Sequence, residues 1–327
     1  MPNVSIIIVC MNNLKNLYPC LTSIRKYTTV SYETLVVAYL FSKENLEKVK
    51  HDFPWVTFIE SNEIRGFSEN NNLALRQAKG KYCFVVNDDT EMKMPVIDRL
   101  VESFGRCPED VAIVSPSILN SNGEVSVCGK PPITIKEFIL KTFHLWNENQ
   151  NKEYVNKQGL FKTYNILGAA FLIRTDIFKK EGWFDEYYFF CPEDIALSTS
   201  LNKKGFSCYV NADVSIIHYE GMSNKSISYI QTATMPASKR GELRFFSNGN
   251  SFKYCALVLI NYVGISLNFI IHRMKGLCSK RPNSYYVLSI GDLNILKTLS
   301  TTKTPKEIFL KYYLKIRNKH EKYSYCD

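Results

Sequence analysis

The chain has no Cys-x-x-Cys pair, and its N-terminal half has neither a Gly-x-Gly-x-x-Gly nor a Gly-x-x-x-x-Gly-Lys-Ser/Thr stretch. The last two absences argue against a dinucleotide fold or a P-loop, though a nucleotide can still bind an α/β sheet in another way. The ten cysteines, at 10, 20, 83, 107, 128, 191, 208, 255, 278 and 326, are scattered, and several sit within apolar runs. That pattern argues for buried free thiols in a reducing compartment, and against a zinc site or a disulfide framework. No basic stretch precedes the first apolar run, Val4–Met11, which stops at Asn12-Asn13. It is expected to be a first strand rather than a signal peptide. Internal repeats and low-complexity segments are missing too. Acidic residues are scarce in one region: residues 228–327 carry 5 Asp/Glu against 16 Lys/Arg, a net of +11, so with +10 overall the first 227 residues sit at −1. The basic tail points to an anionic membrane surface as partner, set against the plainer alternative of a solvated basic helical surface. It holds no helix-turn-helix, zinc or RNA-recognition signature, so no nucleic-acid partner is expected.

What is present is the composition of a folded protein, 45% hydrophobic and 22% charged over 327 residues. That is enough for one large α/β domain and a smaller appendage. Val4–Cys10 (VSIIIVC) is a β-branched apolar run of the kind buried on both faces of a sheet. Leu14–Tyr27 has helical spacing, with Asn13 as N-cap. Thr34–Leu40 and Val56–Ile59 predict strands flanking a charged helix over Lys43–His51. Asn70–Lys79 predicts a helix ended by Gly80. Tyr82–Val86, Val111–Ser115 and Leu167–Ile173 complete the strand pattern, with a variable insertion over 130–163. This alternation predicts a mainly parallel, doubly wound sheet. Residues 1–225 are assigned to that domain and 226–327 to a basic, aromatic, mostly helical region. Within the latter, Tyr254–Ile271 is uncharged and at the lower limit of a membrane span. Its three polar residues, Asn261, Ser266 and Asn268, and the basic residues on both sides favour a helix lying in the membrane interface or packed on the main domain.

The most informative stretch is Lys81–Thr90, KYCFVVNDDT, in which a buried strand runs straight into Asn87, Asp88 and Asp89. Ligands bind open α/β sheets at the carboxyl ends of parallel strands. Clustered oxygen donors there suit Mg²⁺ or Mn²⁺ held with a substrate's phosphates. Taken alone, the same residues make equally good turn chemistry.

Further clusters follow in a fixed order: Asn12-Asn13, Asn62 to Asn72, Asn87 to Asp89, Gly182 to Glu186, Pro192-Glu-Asp194, and His218. Each has an ordinary structural explanation alone, such as first-turn acids at a helix start for Glu193-Asp194 or a core histidine for His218. Together, the series resembles glycosyltransferase family 2 with the GT-A fold, especially the bacterial rhamnosyltransferase-like branch, over roughly residues 3–225. The resemblance implies a donor pocket built with Asn12, Asn62, Arg65, Gly66, Phe67 and Asn71, together with Asn87 and Asp88. It implies a metal held by Asp89 and His218, and an acceptor side formed by Trp183, Asp185 and Glu186. It further implies a general base at Asp194, with Glu193 as the alternate.

The chemistry fits those residue types. Cleaving a sugar from a nucleoside diphosphate leaves negative charge on the β-phosphate, which Mn²⁺ or Mg²⁺ neutralises. The attacking hydroxyl gives its proton to a carboxylate. The expected activity is therefore inverting transfer from a nucleotide sugar to a saccharide acceptor, plausibly lipid-linked, at the inner face of the cell membrane in surface-polysaccharide synthesis. Two positions depart from the family pattern. No acid stands in Ala38–Ser42, where one usually contacts base or ribose, which leaves stacking on Tyr39 or Phe41 as the substitute. Ala196 takes the place of a second Asp after Glu193-Asp194. Both departures motivate the alternative of a non-catalytic domain that binds nucleotide sugar or glycan. A glycoside hydrolase, which also uses two carboxylates, ranks third.

Overall fold

The run VSIIIVC becomes β1 (Val4–Cys10), six of its seven residues buried, as a strand covered on both faces requires. In this computed structural model, which describes residues 1–146, 154, 156–219, 229–279 and 282–323, β1 pairs in parallel with β2 (Tyr32–Tyr39) on one side and β4 (Tyr82–Val86) on the other. β3 (Thr57–Ser61) pairs in parallel with β2. The full order is β3-β2-β1-β4-β9-β6-β10-β5, where β5 is Thr90–Glu91, β6 Val111–Leu119, β9 Ala170–Arg174 and β10 Ser207–His218. Two short strands, β7 (Val125–Val127) and β8 (Leu160–Thr163), extend it against β6 and β10.

The sheet is mostly parallel, with one important exception. β9 lies between β4 and β6 and runs antiparallel to both. It starts beside the carboxyl end of β4, with Ala170 opposite Val86, so it can only run back along the sheet. Helices α1 (Leu14–Tyr27), α2 (Lys43–Asp52), α3 (Phe67–Leu75) and α4 (Val96–Phe104) connect the first strands. Two apolar clusters form the core, one containing Ile6, Ile8 and Phe84 and the other Ile7, Val85 and Phe171, as the alternation of strand side chains dictates.

Several boundaries differ from the sequence expectation. Asn13 precedes α1, but its side chain makes no capping hydrogen bond. Helix α3 begins at Phe67 rather than Asn70, because the Gly66 N–H donates to Glu69 Oε2 at 3.0 Å and starts the helix a turn earlier. It ends at Leu75 rather than Lys79, so Gly80 is not its terminator. Instead a Cβ on Gly80 would lie 2.4 Å from the Ser5 backbone nitrogen, and glycine is what lets this turn pass β1.

The chain divides into two compact units. The first comprises Met1–Pro132, Asn149–Glu186 and Glu193–Met222; the second comprises Ile133–Glu148, Tyr187–Pro192 and Ser223–Asp327. The expected boundary at 225/226 and part of the expected 130–163 insertion lie outside the described residues. The first unit also contains α6 (Thr175–Glu181) and α7 (Glu193–Lys203). The second contains α5 (Ile135–Thr142), α8 (Gln231–Ser247), α9 (Ser251–Cys278), α10 (Pro282–Leu296) and α11 (Pro305–Tyr323), packed around Phe138, Leu243, Leu257, Ile265, Ile295 and Leu299. By length and composition α9 is long and apolar enough to cross a membrane, although one of its faces is buried within this unit.

Candidate active site

β4 delivers Asn87, Asp88 and Asp89 to its carboxyl end, and β10 delivers His218 to the same place. The link is made by β5, whose Thr90 stands opposite His218 in the antiparallel register. His218 Nε2 lies 3.0 Å from Asp89 Oδ1 and 3.4 Å from Asn87 Nδ2. The Tyr219 N–H donates to the Asp89 carbonyl at 2.9 Å and fixes the backbone of the turn. Three residues separated by up to 131 positions thus converge on one side-chain cluster.

Burial pushes the Asp88 carboxyl up to about 6, helped by the nearby Asp89 charge and opposed by a hydrogen bond from the Cys10 thiol and by His218. Cys10 itself is buried and its thiol is held neutral, chiefly by desolvation.

Among the described residues, no group of three or more His, Cys, Asp or Glu side chains is placed to hold a metal ion. Asp89 and His218 nevertheless offer an oxygen and a nitrogen 3.0 Å apart. That separation matches adjacent ligands of an octahedral ion with bonds of about 2.1 Å, whose neighbouring donors stand about 3 Å apart. The pair fits a third of an octahedral coordination sphere, of the kind a Mg²⁺-type site completes with substrate phosphates and water.

Asp194 stands at the start of α7. Its Oδ2 accepts from the Gly168 N–H at 3.0 Å and its Oδ1 from the Ile195 N–H at 2.8 Å. The residue is partly exposed, and surrounding protein desolvates its carboxyl and raises its pKa; the two backbone donors and the Lys130 charge pull the other way. Gly168 leads through Ala169 to the acidic turn, because the Asn87 N–H donates to the Ala169 carbonyl at 2.9 Å. The same two-residue segment therefore holds Asp194 and borders Asn87. Glu193, the neighbouring acid, is 9% exposed and buried at the helix start.

The remaining predicted residues fall into two sets. Around α3, Gly66 is the N-cap and Phe67 packs edge-on against Phe184 at 5.7 Å. Asn71 is buried and donates to the Phe67 carbonyl, and Asn62 is exposed. Arg65 donates to Ser61 Oγ and pairs with Glu63 at 2.8 Å, and its backbone N–H reaches the Tyr39 hydroxyl. Asn12, at φ 49°, accepts from Ser42 N–H and from Asn45 Nδ2, tying the end of β1 to the start of α2. Ser42 in turn caps α2, which gives part of the acid-free Ala38–Ser42 stretch a structural task.

On the other side, Trp183 sits at φ 71° and packs edge-on against Phe178, and Asp185 is exposed. Glu186 pairs with Arg76 at 2.5 Å and accepts from Asn72 Nδ2. Asn70, Asn71 and Asn72 all lie inside α3 and are buried. Asn72 donates to the Phe184 carbonyl at 2.9 Å and accepts from the Phe184 N–H at 3.1 Å. No spacing rule marks such a residue. Lys130, whose charge acts on Asp194, likewise falls in a stretch with no periodicity to mark it.

The model of the family described as glycosyl transferase family 2 matches residues 5–182, more than half the chain. The chain belongs to that family. Residues 5–182 include the acidic turn but end before Asp194 and His218. An O-antigen biosynthesis protein RfbC from Myxococcus xanthus is 27% identical over 158 residues, 48% of this chain and 12% of that protein's length. The chain therefore corresponds to a small part of that relative.

Solved structures share the fold. The mannosyltransferase PcManGT of Pyrobaculum calidifontis, in complex with GDP-Man and Mn²⁺, aligns with a TM-score of 0.53 at 15% identity, covering 96% of this chain and 86% of that one. Residues 1–349 of TarS from S. aureus align at 0.51 and 15% identity, over 89% and 80%. GalNAc-T7 with UDP, GalNAc and Mn²⁺ aligns at 0.51 and 17% identity, over 67% and 44%. The fold is accordingly GT-A.

Proposed function

We propose that this glycosyltransferase is an inverting, metal-dependent enzyme that moves a sugar from a nucleotide-diphosphate donor to a saccharide acceptor. The convergence of Asn87, Asp89 and His218 at the end of β4 carries this reading, because it supplies a carboxylate and an imidazole where a diphosphate would lie. Asp89 and His218 would hold a divalent cation, which supplies charge neutralisation for the departing nucleoside diphosphate. Mn²⁺ and the nucleotide ligands in the fold relatives support the same assignment.

The donor is assigned to Asn12, Asn62, Arg65, Gly66, Phe67, Asn71, Asn87 and Asp88, with Tyr39 or Phe41 stacking on the base. Asp194 is the general base. Its two backbone donors fix the carboxylate plane, and its raised pKa makes it a stronger base than an exposed aspartate. The acceptor hydroxyl passes its proton to Asp194 as its oxygen attacks the anomeric carbon from the face opposite the leaving diphosphate, which inverts the centre. Trp183, Asp185 and Glu186 are assigned to the acceptor side. Rhamnosyl transfer onto a lipid-linked saccharide at the inner membrane face, in surface-polysaccharide synthesis, is the specific form proposed. The O-antigen relative and the basic region 226–327 support it.

Thermal shift with UDP, dTDP and GDP sugars, with and without Mn²⁺, tests the assignment. A metal-dependent rise for one nucleotide is expected. The second reading, a binding domain without turnover, is favoured by Ala196 and the acid-free Ala38–Ser42 stretch. Asp194→Asn separates the two. An enzyme loses turnover and retains donor binding, whereas a binder has no turnover to lose.

A further inference from the structure

Helix α9 buries Asn261 and Asn268 beside the core residues Leu257 and Ile265, while a longer apolar stripe is left outside. Its inward side carries Asn261, fully buried, together with Asn268 and Gly264. Asn268 Nδ2 donates to the Thr142 carbonyl at 3.1 Å, and Asn261 Nδ2 to the Leu257 carbonyl at 2.8 Å. A Cβ on Gly264 would meet the Thr142 methyl at 2.6 Å, so the helix is seated tightly on α5. The outward side is apolar: Leu259 (66% exposed), Val263, Leu267, Ile270, Met274 and Leu277 (88%) recur every three or four residues along one stripe. An amphipathic helix in water shows the opposite arrangement.

Cations bound the uncharged part of that stripe, with Met274 and Leu277 interleaved with the second set. There is no Lys, Arg, Asp or Glu between Lys253 and Arg273, a length of roughly 28 Å at the α-helical rise. Lys253, Arg273 and Lys275 are all exposed. Cations flanking an apolar stripe match an anionic bilayer surface, with the side chains in the acyl region and the charges among the headgroups. A second copy of this strongly basic region would instead meet like charge.

The helix cannot stand across the bilayer in this arrangement. Asn261, Gly264 and Asn268, near the midpoint of the uncharged run, are held against Thr142 at the end of α5. The charged pair Lys141–Glu137 lies on that same short helix, at 2.7 Å. A transmembrane α9 would carry this pair towards the middle of the hydrocarbon.

We infer that α9 lies in the plane of an anionic membrane, immersed along the Leu259–Leu277 stripe and attached through its asparagine face to the rest of its helical unit. This inference does not depend on the glycosyl-transfer reading. It goes beyond a basic surface drawn to lipid charge, because it makes apolar insertion along one named stripe the main source of binding.

Flotation of the full chain with phosphatidylcholine vesicles, with and without phosphatidylglycerol, tests it against a Leu259→Ser/Val263→Ser/Ile270→Ser variant and an Arg273→Glu/Lys275→Glu variant. Expected are co-flotation of the parent with the anionic vesicles and a loss of roughly tenfold or more for the serine variant. The charge-reversed variant should bind anionic vesicles less well. A parent that does not float, or a serine variant that floats like the parent, overturns the inference. So does a serine variant that only converts a dimer to a monomer. Val263→Trp guards against a serine variant that fails to fold. Its added fluorescence should be quenched by brominated acyl chains, and an unquenched signal in the presence of anionic vesicles overturns the inference as well.

Discussion

His218 Nε2 stands 3.0 Å from Asp89 Oδ1, although the two residues belong to opposite halves of the sheet's chain order. The contact exists because β10 ends beside β5, the short strand that leaves the acidic turn. A bond between an imidazole and a carboxylate at a strand end is either a static ion pair or an assembled pair of metal ligands, and the two make different predictions. As ligands, both must matter for metal use. His218→Ala should raise the Mn²⁺ concentration needed for half-maximal turnover by about 10- to 100-fold. Asp89→Ala should lower kcat/KM by about 10²- to 10³-fold. Chelation should abolish turnover, and added Mn²⁺ should restore it. An unchanged Mn²⁺ dependence in His218→Ala would reduce the pair to a structural contact.

Asp194 makes a prediction with a sign. Desolvation raises its pKa above the ordinary value near 3.8. A general base works only when ionised, so activity should be present above that raised pKa and lost as pH falls through it. The acidic limb of kcat/KM should therefore lie above the normal aspartate range. The Lys130 charge favours the ionised form. Lys130→Met should accordingly move the limb to still higher pH while leaving the rate on the alkaline plateau nearly unchanged. Asp194→Asn should lower kcat by about 10²- to 10⁴-fold with little change in donor affinity. A limb that does not move in Lys130→Met would assign it to another group.

Asn72 tests how the two flanks of the site are joined. Its amide answers both the N–H and the carbonyl of Phe184, and both residues are buried. Asn72→Leu should leave both of those backbone groups unpaired at a cost of about 2–4 kcal/mol, read as a lowered midpoint in urea unfolding. Glu186, which accepts from the same amide, is half-exposed and also held by Arg76. Glu186→Gln should therefore cost well under 1 kcal/mol.

These residues show what was legible in the sequence and what was not. The strands β1 and β4 are continuous apolar runs long enough to fix their type, so the position of Asn87–Asp89 at a strand end followed directly. Glu193-Asp194 at a helix start was equally visible. The direction of β9 was not, since an apolar run has the same composition whichever way it points. The start of α3 at Phe67 is written in the sequence as Gly66 followed three residues later by Glu69, a short-range pattern with no apolar periodicity to draw it out. For α9, length and apolarity were legible; only packing reveals that Asn261 and Asn268 face inward with Leu257, while Leu259, Leu267 and Leu277 are left outside.

Gly80 offers the sharpest test of a corrected reading. As a helix terminator it would need only a permissive backbone, and alanine there would cost about 1 kcal/mol or less. The structure gives it a different task. Ser5 Oγ accepts from the N–H groups of Lys79 and Gly80 at 3.1 and 2.8 Å, and donates to Glu33 at 2.6 Å, drawing the turn onto β1. A Cβ at 80 would then fall 2.4 Å from the Ser5 nitrogen and 2.7 Å from the Val4 carbonyl carbon. Both are backbone atoms of the central strand, which cannot rotate away as a side chain would. Relief requires separating β1 from the start of β4, the strand that carries the acidic turn. Gly80→Ala should therefore cost about 3 kcal/mol or more, lower the thermal midpoint by several degrees, and reduce metal-dependent donor binding in parallel. A variant as stable as the parent would restore the simple terminator role and show that the turn can move away from Ser5 at little cost.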